Sequence, residues 1–305
     1  MAPTLLIRKS WVVFVYAIAI SVESIIIEYL TSSSIHISPL VLSSTSITLA
    51  GILLLLTAVL IFKKKRTIMA LFTESTKILI LASLSLAIGI LTWYDSVNKI
   101  GASKELLVAG PLEIVVIVLL ARLFLKERLH KTHCVGISLA LIGFVLALLS
   151  DTNFSPIRSN MHYATGSTTY FIVPIGIGDF EAMISAFGFA TGVLFLSKLL
   201  SRYSSIEAAG STMLMSGSFL FTMLLIGILV YGTNSVLLTA SAAGSFEMHI
   251  SITNAIVILL LFSLIPFVGS LSYSTGLSRI GASLTATIGS SSIVITVFLQ
   301  LIIRE

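Results

Sequence analysis

The stretch from Lys99 to Arg128, KIGASKELLVAGPLEIVVIVLLARLFLKER, decides the fold. It opens on a polar Gly-Ala-Ser turn, continues as one apolar run long enough to cross a bilayer, and stops on a basic group. One acid, Glu113, lies inside the run. A looser copy extends from Arg279 to Glu305, RIGASLTATIGSSSIVITVFLQLIIRE. Lys99-Ile100-Gly101-Ala102-Ser103 matches Arg279-Ile280-Gly281-Ala282-Ser283, and Lys126-Glu127 matches Arg304-Glu305. Landmarks that recur in order at nearly constant separation mark an internal repeat.

Around this stretch the composition is that of a membrane protein. Of 305 residues, 56% are hydrophobic and 10% charged, against about 25% charged in soluble domains. Mean hydropathy is +1.09. The net charge of +5 does not point to nucleic acid, because the basic residues lie between apolar runs instead of forming one patch. Cys134 is the only cysteine, and no Cys/His cluster has metal-ligand spacing, so neither a metal nor another cofactor is expected. The apolar run that follows Arg8 and Lys9 is too long for a signal-peptide core and reads as a first span.

Nine stretches have spanning length, near 11–30, 39–62, 77–97, 104–125, 132–150, 179–200, 206–231, 252–275 and 283–303. In lipid each must be a helix, since a lone strand leaves its backbone unsatisfied. The expected fold is an all-α polytopic bundle of two inverted repeats: residues 1–150 with five spans, an extracytoplasmic connection 151–177, and residues 178–305 with four spans. Five is odd, so the second copy enters the membrane upside down. Charge gives the same placement independently: with a cytoplasmic N-terminus, only Lys99, Lys104, Arg158 and Arg304 of the 18 basic residues fall outside. Inverted repeats are characteristic of secondary transporters, whose substrate site lies near the midplane where the halves meet.

The Gly-Ala-Ser helix start, the apolar span with a central acid and the Lys-Glu-Arg exit together resemble the EamA type of the drug/metabolite transporter superfamily. Gly178-Asp179 followed by EAMISAFGFATGVLFLSKLLSR is similar to that family's sixth span, with Phe189 at its aromatic position. The segment Gly276 to Ser283 is similar to the turn before its ninth span, and KTHCVGISLALIGFVLALL to its fifth. The chain departs from the pattern in places. Pro111 precedes Glu113 by two residues, where the family has proline directly after the acid. Ser291 holds the acid position of the ninth span, and Ser21-Val22-Glu23 stands in place of a Trp-Gly in the first. The family has ten spans and the sequence stops at Glu305, so a tenth helix is expected to be missing, through truncation or in a nine-span variant, and the surface it leaves to face either lipid or a homodimer partner.

Ionisable groups inside apolar runs carry the functional signal, because a charge at mid-bilayer costs about 2.5–3.5 kcal/mol on insertion scales. Glu113 is the leading candidate: Ala109 and Gly110 leave room beside it, and Pro111 frees a carbonyl in the preceding turn. Glu23 shares a helical face with Tyr16 and is read either as a cavity-wall acid or as a carboxyl bonded to a neighbouring helix. Glu28, near the outer end of span one, is expected to reach interfacial water. Trp93 and Asp95 read as an interfacial anchor with a solvated acid, and Tyr94 as an outer gate or substrate contact. The small-residue pairs Ser85/Gly89, Gly136/Ala140, Gly143/Ala147 and Gly188/Gly192 read as close helix packing. Asn153-Phe154-Ser155 is a glycosylation sequon on the outer side.

The resemblance implies a secondary transporter of a small amino-acid-like, polar or amphiphilic solute, an exporter in the plasma or inner membrane working by alternating access. Its cavity would be lined by spans one, three, four, six, eight and nine, with Glu113, Glu23, Tyr94, Phe189, Tyr16 and Ser291 as substrate or coupling residues. The partners would be the solute, a coupling proton and membrane lipid. A non-transporting relative or assembly subunit is the alternative. An enzyme is disfavoured, because His36, His130, His133, His162 and His249 scatter over loops and span ends.

Overall fold

The computed structural model describes residues 3–32, 37–125, 138, 176–231 and 252–304. The fifth expected span (Ser138 excepted), Cys134, all five histidines, residues 151–175 of the connection with its sequon, and the pairs Gly136/Ala140 and Gly143/Ala147 lie outside the described residues. The long apolar runs that are described are all helical, as a backbone without water requires. They are α1 (Pro3–Ser32), α2 (Pro39–Leu60), α4 (Thr76–Ile100), α5 (Ala102–Phe124), α6 (Ile177–Leu200), α7 (Ser205–Tyr231) and α8 (Ile252–Ile280), with α9 (Ala282–Gly289) and α10 (Ser291–Arg304) sharing the last run. Eight stretches among these residues are long and apolar enough to cross a membrane. Exposed apolar side chains such as Phe14, Ile18, Leu84, Ile88 and Leu123 coat the outside, which suits lipid and not water.

Two details differ from the sequence reading. The connection after span two holds a short helix, α3 (Lys65–Glu74). Ile68 and Leu71 face inward while Met69 stays exposed, an amphipathic pattern too short to register among the longer runs. The ninth span, expected as one helix over 283–303, is broken at Ser290. There the Ser290 hydroxyl donates to the Thr287 carbonyl at 2.7 Å and that of Ser291 to the Ile288 carbonyl at 2.8 Å. A Gly-Ser-Ser-Ser run supplies hydroxyls that compete with the backbone ladder and a residue that favours helix weakly.

The repeat is visible in the backbone. Gly101 and Gly281 sit at φ +82° and +83°, a conformation that side chains disfavour. Each ends one helix and opens the next with the same bonds: Gly101 N–H to the Val97 carbonyl and Gly281 N–H to that of Leu277, then Glu105 N–H to Gly101 and Thr285 N–H to Gly281.

Helix pairing shows the inversion. The large interfaces join α4 with α6, α2 with α7 and α1 with α8. Exchanging the halves converts the α1–α8 pair into the α6–α4 pair and leaves α2–α7 unchanged. Within α2–α7, a Cβ on Gly51 would meet the Leu214 backbone and one on Gly217 would meet that of Thr48, so the contacts run in opposite chain directions. Likewise Ser103 of α5 meets Gln300 of α10, while Gly110 faces Ile293. Spans four and nine are therefore antiparallel, and the two Gly-Ala-Ser turns lie at opposite ends of the bundle.

Local chemistry fixes the helix starts. Ser204 donates its backbone N–H (2.8 Å) and hydroxyl (2.6 Å) to one oxygen of Glu207, so the glutamate in the first turn of α7 reaches back to satisfy the residue before it. Asp179 of the Gly-Asp motif accepts the Gly176 N–H at 2.9 Å and pairs with Lys104 at 3.1 Å, which ties the start of α6 to α5. A Cβ on Gly178 would fall 2.5 Å from Ile100, so this motif is occupied with packing and capping.

Candidate functional site

A small cavity lies where the halves meet, with about 50 Å³ open to the centres of water-sized spheres. That is room for a few waters or one compact group. Tyr16 and Ile20 of α1, Trp93 of α4, and Glu105, Ala109 and Glu113 of α5 line it from the first half. Ser185 and Phe189 of α6, Tyr273 of α8, Gly289 of α9, Ser290 and Ser292 complete it from the second. Spans one, three, four, six, eight and nine thus all reach it.

The backbone positions of Glu105 and Glu113 are about 12 Å apart along α5 at 1.5 Å per residue, two turns apart on the helix that lines the cavity. Glu105, 1% exposed, accepts the Ser185 hydroxyl at 3.3 Å through Oε1. Its Oε2 closes no hydrogen bond of ordinary geometry among the described residues, and the Trp93 indole lies alongside. Trp93 meets Phe189 edge-on with ring centres 5.9 Å apart. Glu113 lies within electrostatic reach of Tyr16 and Tyr273, whose rings are 4.5 Å apart. The buried Tyr273 hydroxyl has no hydrogen-bond partner among the described residues.

Of the six residues singled out from the sequence, Glu113, Tyr16 and Phe189 line the cavity. Glu23 and Tyr94 do not. Tyr94 is fully buried and donates to Glu23 Oε1 at 2.7 Å, with the Ser46 hydroxyl 3.3 Å from the Tyr94 oxygen, so the trio holds α1, α4 and α2 together. Ser291 spends its hydroxyl on the Ile288 carbonyl, and its neighbours Ser290 and Ser292 face the cavity instead.

Two expectations are corrected. Trp93 is 4% exposed and belongs to the cavity wall, not to an interfacial belt. Sequence alone places an aromatic near a span end, and the belt is the commoner fate of such residues. Glu28 is turned into the protein: one oxygen accepts the Ala102 N–H at 3.0 Å and the Gln300 amide. The carboxylate caps α5, where unsatisfied N–H groups and the helix dipole favour negative charge.

With Ser103 also against Gln300, these groups join α1, α5 and α10 at the Gly101 end. Lys99 adds ion pairs to Asp95 at 2.9 Å and to Glu181 at the same end. Polar contacts among five helices thus cluster at the Gly101 end of the bundle.

Glu105, Ser185 and Tyr273 were not anticipated. Glu105 follows Lys104 at the polar start of its span and reads as part of that start. The available signal was the spacing Glu105, Ala109, Glu113, which puts both acids and a small residue on one helical stripe. Among the described residues no group of three or more His, Cys, Asp and Glu could hold a metal.

The family model for the EamA-like transporter family matches residues 9–149 and again 176–305. No curated protein matches the sequence. A solved structure described only as "Crystal structure of protein" shares the fold with a TM-score of 0.58 at 12% identity, covering 97% of this chain and 88% of that one. A two-repeat helical membrane bundle matched by the family model in both halves belongs to the EamA-like transporter family, membrane transporters of the drug/metabolite transporter superfamily.

Proposed function

We propose that this chain is a secondary transporter that exports a small polar or amphiphilic solute across the plasma or inner membrane by alternating access, with its N-terminus in the cytoplasm. The observation that carries this reading is the cavity itself: both halves build it, it lies partway along the spans, and it holds two acids and four aromatic rings. A site built by two halves changes its accessible side when one half rocks against the other. In the state described here, the contacts around Glu28, Gln300 and Lys99 would be the ones that part to open the Gly101 side.

Glu113 is assigned substrate contact or coupling-proton transfer, with Tyr16, Tyr273 and Phe189 as the surrounding wall. Glu23 and Tyr94 take a supporting role, holding α1 against α4 so that Tyr16 keeps its place. The Arg-poor outer loops and basic inner loops support the orientation.

The test is a pooled-metabolite uptake screen in proteoliposomes. Saturable movement of at least one small solute, absent from empty liposomes, is expected. Correctly folded protein that moves no solute in either direction, with or without a proton gradient, would overturn the transporter reading.

A further inference from the structure

We infer that the cavity selects compact organic cations without a carboxylate, anchored at Glu105 and walled by Trp93 and Phe189. The inference rests on the transporter reading and names the solute class. Four observations carry it. Among the described residues the cavity is lined by two carboxyls and by no lysine or arginine. Lys99 and Lys104, which flank the Gly101 turn, are paired with Asp95, Glu181 and Asp179. Glu105 is buried, with the Trp93 indole as its neighbouring donor, and its Oε2 makes no hydrogen bond of ordinary geometry among the described residues, so the acid keeps acceptor capacity for whatever enters. Trp93 and Phe189, which line the cavity with Glu105 and meet edge to face, add aromatic surface on which an organic cation can rest over an uncovered ring face.

The start of α10 at Ser290 to Ser292 also borders the cavity and could attract a carboxylate. A helix N-terminus carries only about half a unit of positive charge, against two full carboxyls facing the same space. A zwitterion would therefore be held less well than a cation with the same head group.

Three probes share one head shape and differ in charge: choline, its uncharged isostere 3,3-dimethylbutan-1-ol, and the zwitterion glycine betaine. The protein has two tryptophans, so Trp11→Phe leaves Trp93 as the sole reporter at the site. In purified Trp11→Phe protein, choline is expected to change Trp93 emission saturably and to raise the melting temperature. The isostere and betaine should bind at least about tenfold more weakly. Glu105→Gln should lower choline affinity by about tenfold or more. Should that variant fold poorly, Phe189→Leu, which removes only a ring, should weaken choline severalfold and leave the weak binding of the isostere unchanged.

Equal binding of the isostere, betaine binding as tight as choline, or choline affinity indifferent to both substitutions would each overturn the inference. So would folded protein that responds to choline in neither emission nor melting temperature. Binding is read in detergent without transport, so its failure alongside saturable uptake of an uncharged or anionic solute in the screen sinks this inference alone. Choline binding without any transport sinks the transporter reading alone.

Discussion

Gly188→Ala should lower the melting temperature of the purified protein by several degrees, and Gly188→Val should leave little folded protein to measure. A Cβ at this position would lie 2.7 Å from both the Cα and the N of Gly89 and 3.0 Å from the Ser85 carbonyl. These are backbone atoms and cannot swing aside, so α6 would have to move away from α4. Overpacking of this kind costs about 1–3 kcal/mol and occasionally more. Between apolar helices in lipid, close approach of small residues supplies much of the attraction, so the loss is doubled in kind: a clash gained and packing lost. Gly269→Ala is the control. Its Cβ would sit 3.5 Å from the Ala19 Cβ, an ordinary contact, and should change the melting temperature hardly at all. Equal melting of the Gly188→Ala and wild-type proteins would show that the helices are not packed as described.

Glu113→Gln should abolish coupled transport while leaving folding near wild type. The substitution keeps size and hydrogen-bonding capacity and removes the charge and the exchangeable proton. No hydrogen bond reaches this carboxyl among the described residues, so no protein donor is orphaned by the change. Removing one partner of a buried charged contact costs about 2–5 kcal/mol, or about 30-fold and upward in affinity or rate. Initial rates of solute movement in proteoliposomes, with and without a proton gradient, give the comparison. Unchanged transport and gradient dependence in Glu113→Gln, with loss only in an unstable Glu113→Ala, would reduce Glu113 to a packing residue.

The spans were legible because lipid forces apolar runs into helices, and the repeat because Gly101 and Gly281 serve a backbone conformation that few other residues accept. The α3 helix was not: it is stabilised by docking Ile68 and Leu71 rather than by length. The break at Ser290 was written in the Gly-Ser-Ser-Ser run, yet such a run is equally at home in an unbroken, closely packed helix. At the site, Glu113, Tyr16 and Phe189 were identifiable from isolated polar or aromatic positions and the family pattern. Glu23 and Glu28 were recognisable as unusual acids, but their partners Tyr94, Gln300 and the Ala102 N–H are far off in sequence, so packing alone could assign them. Glu105 and Trp93 were hidden for one reason: near a span end, a polar or aromatic residue has an easy interfacial alternative, and only the neighbouring helices show which alternative it takes.

The central claim is that the two halves enter the membrane in opposite senses and build one cavity between them. Asn98 and Ser278 stand three residues before the paired glycines at equivalent positions of the two copies. Neither demands the glycine conformation, so cysteine fits there better than at Gly101 or Gly281. In a background without Cys134, Asn98→Cys and Ser278→Cys should be labelled by an impermeant thiol reagent from opposite faces of the membrane, Asn98→Cys from outside. Labelling of both from the same face would contradict the inverted repeat and, with it, the cavity as a site of alternating access.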